Sequence, residues 1–103
     1  MLSSTASELY WMSRYLERAE NTARMLDVTY SMSLMPQLDS DNSELIAPLT
    51  ITGTHEPFIE RYGAISMNNL LEFFLLDDKN PSSIFCCIRS ARDNAHAVKG
   101  RIS

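Results

Sequence analysis

No stretch of this chain is long and apolar enough to span a bilayer. The longest candidate, Leu70 to Leu76, is broken by Glu72 and falls far short of the roughly 20 residues that a transmembrane helix needs. The start, Met1-Leu2-Ser3-Ser4-Thr5-Ala6-Ser7, lacks the basic residues and apolar run of an export signal. Together these absences predict a soluble, cytoplasmic protein with no membrane partner. An excess of positive charge is missing too. Lys and Arg number 9 against 13 Asp and Glu, a net charge of -4, so no overall basic field exists to hold nucleic acid. The only cysteines, Cys86 and Cys87, are adjacent in a predicted helix, where successive side chains point about 100° apart, so a disulfide between them would need unusual backbone geometry. Two reduced thiols are expected, one packed and one nearer the surface. Nothing alternates with the period of a strand, which excludes a sheet.

What is present is helical periodicity. With 103 residues, of which 45% are apolar, the chain can bury a modest core as a single helical domain over residues 1–103. A first helix is expected from about Thr5 to Leu34, with Thr5 as N-cap and Glu8 completing a capping box. Along it Leu9, Met12, Leu16, Ala19, Ala23, Leu26, Tyr30 and Leu34 form an apolar stripe, widened by Trp11 and Tyr15. Arg14, Glu17, Asn21 and Arg24 occupy the other side, with Arg14–Glu17 and Glu20–Arg24 at pairing distance along a helix.

Pro36 ends that pattern and Gln37 to Ser43 reads as a loop. Leu45 to Ile51, interrupted by Pro48, fits either a helical turn or an extended piece. Thr54 is the expected cap of a short helix through Tyr62 that stops at Gly63, and Ser66 caps another to about Leu76. Asn80-Pro81 signals a helix start, with the asparagine as N-cap. In the last helix Ile84, Ile88, Ala91, Ala95, Val98 and Ile102 make a coiled-coil-like seam, with Arg89, Asp93 and His96 on the far side. The expected class is therefore all-α: a bundle of three main helices and one or two short ones, packed nearly antiparallel.

Asparagine is a poor residue inside a helix unless its amide is bonded, so Asn21 and Asn94 call for partners. They either bond across helices and set register, or help arginines such as Arg14, Arg18, Arg24, Arg89 and Arg92 to bind a carboxylate or phosphate. Asp93 and His96 stand at a spacing used by metal-binding bundles, but a second such pair and two further inward carboxylates are missing, since His55, the only other histidine, lies in the loop-rich middle, so no metal or other cofactor is expected. The cysteines have no assignable base, and no complete catalytic constellation can be read.

The block Leu9-Tyr10-Trp11-Met12-Ser13-Arg14-Tyr15-Leu16-Glu17-Arg18-Ala19-Glu20-Asn21-Thr22-Ala23-Arg24, followed by Asp77-Asp78-Lys79-Asn80-Pro81-Ser82-Ser83-Ile84 and Ala91-Arg92-Asp93-Asn94-Ala95, closely resembles the bacterial alpha-E domain, a domain of unknown function. The resemblance spans essentially the whole chain and implies the N-terminal part of a longer all-helical protein. It also implies a setting beside ATP-grasp and transglutaminase-like proteins, and hence a role in peptide ligation or modification. The polar signature it carries over is Arg14, Glu17, Arg18, Glu20, Asn21, Arg24, Asn80, Arg92 and Asn94, without assigned roles. His96 replaces an arginine usual in the family. The first expectation is a non-catalytic interaction or accessory module that meets a second copy, the remaining helices of a longer chain, or an ATP-grasp or transglutaminase-like partner. The second is an enzyme or substrate-binding subunit of amide-bond chemistry with an Arg/Asn-lined anion site.

Overall fold

A computed structural model describes residues 2–35 and 43–102, so the expected stop at Pro36 and the loop after it lie outside the described residues. Five α-helices follow in order: α1 (Leu2–Ser33), α2 (Ser43–Thr52), α3 (His55–Tyr62), α4 (Met67–Leu71) and α5 (Ile84–Ile102), with a π-helical turn over Glu72–Leu76 continuing α4. No strand occurs among the described residues, and the fold is all-α.

The two long helices pack antiparallel. Arg101 near the end of α5 reaches the Ser4 carbonyl and Glu8, whereas Thr22 donates to the Ser82 carbonyl at the other end of the pair. Antiparallel packing follows from the seam of α1, where Met12, Tyr15, Ala19, Thr22, Leu26 and Thr29 step by three and four and are buried or half-buried. The expected stripe is corrected here. Of its members Leu9, Leu16, Ala23, Tyr30 and Leu34 are exposed, because the packed column runs through two threonines that do not read as core. The same shift holds in α5, where Ile84, Cys87, Ala91, Asn94 and Val98 face α1 and Ile88 and Ala95 face solvent.

The start of α1 also differs. It begins at Leu2, so Thr5 lies within the helix and Glu8, in place of closing a capping box, pairs with α5.

At the other end of the pair, Leu26, Leu45, Leu49, Phe58, Leu70, Phe73 and Phe74 make the core. Leu45 to Ile51 is helical despite Pro48, which is buried there. Thr54 stands at the start of α3, but its hydroxyl meets that of Thr52 at 2.7 Å and caps no amide. Gly63 ends α3 with φ +77°, a conformation few side-chain-bearing residues adopt, and its N–H reaches the Ile59 carbonyl at 2.9 Å.

Ser66 caps α4 as expected, accepting from the Asn69 N–H at 3.1 Å. After Leu71 the ladder widens by one residue, and the Asp77 N–H bonds the Glu72 carbonyl at 3.0 Å. That turn sends Phe73 and Phe74 inward and leaves Leu76 at 67% exposure.

Asn80 is not the N-cap of the last helix. Its own amide bridges the Phe73 carbonyl and the Ser82 N–H within a tight turn, and the cap is the buried Ser83, whose hydroxyl accepts from the Cys86 N–H at 3.1 Å. One added turn thus separates the sequence signal from the helix it announces.

The molecule is elongated as a result. Its principal extents are 58 × 26 × 18 Å and its radius of gyration is 16.8 Å, against about 12.8 Å for a compact chain of this length.

Candidate functional site

One face of α1 carries Arg18, Asn21, Met25, Val28 and Met32, again stepping by three and four, so these side chains line up along one wall. Ala47, Pro48 and Ile51 of α2 form the opposite wall. Between them runs a groove of about 560 Å³, floored by Thr22, Thr29 and Ser82 and reached by Arg24, Glu44 and Thr52. Most of its lining is apolar. Charge gathers where Arg18 and Arg24 meet it.

The two arginines are not equivalent. Arg24 is tied to Glu20 at 2.5 Å across one helical turn, as its spacing predicts. Arg18 lies with its guanidinium 5.7 Å from the centre of the Tyr15 ring and has no carboxylate partner among the described residues. Its charge is felt inside the helix pair. Burial pushes the Cys87 thiol above its ordinary value, and Arg18 opposes that rise.

Of the other signature residues, Arg14 and Glu17 form an exposed pair at 3.4 Å. Asn80 is consumed in the buried turn already described. Arg92 lies on the outer side of α5, donates to His96 at 3.3 Å and borders a second apolar groove with Leu75, Leu76, Ile84, Phe85, Ile88 and Arg89. Asn94 sits in the α1–α5 seam, where its amide donates to Glu8 and its buried carbonyl oxygen has no partner among the described residues. Asn21 is level with the groove, four turns and about 20 Å further along α1. The two asparagines therefore do not meet in one cavity; Arg18, Asn21 and Arg24 do.

A second polar centre has no counterpart in the sequence reading. The Asp77 carboxylate is 1% exposed and accepts from the Arg61 guanidinium at 3.2 Å, the Tyr62 hydroxyl at 3.1 Å and the Lys79 N–H at 2.9 Å. Burial, and then the bond to Asp77, push the Tyr62 hydroxyl up to about 12. This centre ties the end of α3 to the loop before α5. Its one sequence signal is an acid at a turn, since its side-chain partners, Arg61 and Tyr62, lie fifteen residues or more away.

Both thiols are buried, which corrects the expectation that one lies nearer the surface. The Cys86 thiol points at the Asp78 carbonyl at 3.3 Å, and the Cys87 thiol at the Pro81 carbonyl at 3.6 Å. Asp93 and His96 are exposed, and no three His, Cys, Asp or Glu side chains stand together as metal ligands would among the described residues. Nor is any described helix long and apolar enough to cross a membrane.

Comparison with known proteins adds a family. The model of the Alpha-E family, described as a predicted alpha-helical domain with a conserved ER motif, matches residues 1–103. The chain holds two Glu-Arg pairs: Glu17-Arg18 places Arg18 at the groove, and Glu60-Arg61 sends Arg61 to Asp77. Uncharacterised proteins of Mycobacterium tuberculosis and Mycobacterium bovis are 32% identical over 111 residues, covering 94% of this chain. The chain spans 12% of the length of these curated relatives. No solved structure matches it.

Proposed function

Since the chain belongs to the Alpha-E family, we propose that it is a non-catalytic interaction module, and that the α1–α2 groove is where it receives a protein partner. The observation that supports this reading most directly is Arg18, a guanidinium without a carboxylate partner among the described residues, at the end of an apolar trough. An apolar trough with one fixed cation suits a peptide segment carrying large apolar side chains beside a carboxylate or phosphate. The resemblance supplies a partner class in ATP-grasp or transglutaminase-like proteins.

The second reading, a substrate-binding subunit of amide-bond chemistry, would use the same groove for a substrate peptide. Its polar lining beyond Arg18, Asn21 and Arg24 consists of Glu44, four hydroxyl residues and no histidine or cysteine, which favours holding a peptide over cleaving or joining one.

Thermal unfolding with a panel of short acidic peptides, phosphopeptides and inorganic phosphate tests both. Peptides that combine an anion with large apolar residues are expected to raise Tm by several degrees, and Arg18→Ala to abolish the rise without changing the Tm of the free protein. Arg14→Ala, which loosens only the exposed pair with Glu17, leaves the rise intact. No shift with any peptide removes the groove as a docking site.

A further inference from the structure

Three polar groups in the α1–α2 groove are left unused by the fold. Arg18, on the α1 wall, has no carboxylate partner among the described residues. Glu44, on the α2 side, is half-buried and has neither a cationic partner nor a side-chain hydrogen bond among them. These two opposite charges line one groove and do not pair with each other. A place in the first turn of α2 suits a carboxylate but supplies no counter-ion.

The third group is Thr29. Other hydroxyls of the groove are committed, since Thr22 donates to the Ser82 carbonyl and Thr52 to the Pro48 carbonyl of its own helix. Thr29 is 5% exposed, lies on the groove floor and has no side-chain hydrogen bond among the described residues. A helical threonine can return its hydroxyl to a carbonyl three or four residues back, and a polar group this deep ordinarily has a partner.

Resting on the docking groove proposed above, we propose that its occupant is a peptide segment of mixed charge. A carboxylate of that segment meets Arg18, a lysine or arginine meets Glu44, apolar side chains fill the trough between them, and a main-chain group bonds Thr29. Charge complementarity selects this class. A doubly acidic or phosphorylated segment would set an anion against Glu44, in a chain whose net charge is already -4. From Arg18 to Met32 the α1 wall runs about 21 Å. That is room for about six residues of extended chain.

Isothermal titration of the full chain with capped six-residue peptides is the test. All share four central apolar residues, and the ends carry lysine and aspartate in either order. Control peptides replace the lysine by glutamine or by aspartate. The mixed-charge peptide, in its better order, is expected to bind about tenfold more tightly than its lysine-free form, and the doubly acidic one more weakly than both. Glu44→Gln abolishes the tenfold preference and leaves the affinity for the lysine-free peptide unchanged, which a carboxylate serving only the helix end would not do. Glu44→Lys reverses the preference toward the doubly acidic peptide. Thr29→Val weakens every peptide several-fold without lowering the Tm of the free chain, because it replaces an unbonded hydroxyl by a methyl group of the same shape. A mixed-charge peptide that binds no better than its lysine-free form, a preference that survives Glu44→Gln, or an affinity unmoved by Thr29→Val overturns the inference while the docking groove stands. Failure of every peptide to bind removes both.

Discussion

Removing the Asp77 carboxylate should be among the most damaging single changes available in this protein. The group is 1% exposed and accepts from three donors. Arg61 is 38% exposed, so water screens that ion pair and its loss costs only about 0.5–1 kcal/mol. The Tyr62 hydroxyl donates to a charged acceptor, worth about 1.5 kcal/mol, and the Lys79 N–H loses its partner at a cost of about 1 kcal/mol. Asp77→Ala is thus expected to destabilise by about 3 kcal/mol, and Asp77→Asn, which keeps the volume and one acceptor oxygen, by about half of that. For a domain of this size 3 kcal/mol corresponds to a Tm lowered by about 12–24 °C. Urea and thermal unfolding at pH 7, followed by circular dichroism at 222 nm, give both values. Arg61→Ala should cost less than Asp77→Ala, since the carboxylate keeps two donors. A loss below about 1 kcal/mol for Asp77→Ala, or a larger loss for Arg61→Ala, would show that the centre is not the clamp described.

The same centre makes a prediction in alkali. Because the folded state raises the Tyr62 hydroxyl from 10.0 to about 12, it binds that proton more tightly than the unfolded chain does. Its contribution is complete below pH 10 and is lost as pH rises toward 12. Tyr62→Phe should therefore be less stable than the parent at pH 8 and decline less steeply between pH 10 and 12; parallel urea curves for the two proteins across that window would contradict the assignment. The thiols provide a kinetic check. With Cys86 and Cys87 buried and Cys87 held protonated by its burial, reaction with an aromatic disulfide reagent at pH 8 should follow the unfolding rate, and a rapid burst of one equivalent would refute the packing around them.

Local spacing carried well from sequence to structure. Arg14–Glu17 and Glu20–Arg24 pair as their separations require, and Gly63 and Ser66 bound the helices they mark. The long helices also stand where periodicity puts them, but their phase is turned by one column. Leu9, Leu16 and Ile88 are as apolar as any core residue, while the column that packs includes Thr22, Thr29 and Asn94; hydrophobicity alone cannot tell an inner row from an uncovered one. The polar end of the candidate groove was legible through Arg18, Asn21 and Arg24. Its far wall was not, since Pro48 left α2 open between a helical turn and an extended piece. Asp77, Arg61 and Tyr62 escaped because tertiary closure, and no sequence period, brings them together.

The widened turn over Glu72–Leu76 fixes the length of the chain at that point. Each residue of a regular helix advances the azimuth by about 100°. Excising one residue between Glu72 and Leu76 would let the ladder re-knit into an ordinary α-helix, with Asp77 still bonded to the Glu72 carbonyl, but four residues would then fill a turn that five fill now and the inward pair Phe73 and Phe74 would have to be repacked. The spare residue is an accommodated insertion: it lodges one more side chain in the turn, and with it two adjacent phenylalanines in the core, without re-aiming the chain that follows.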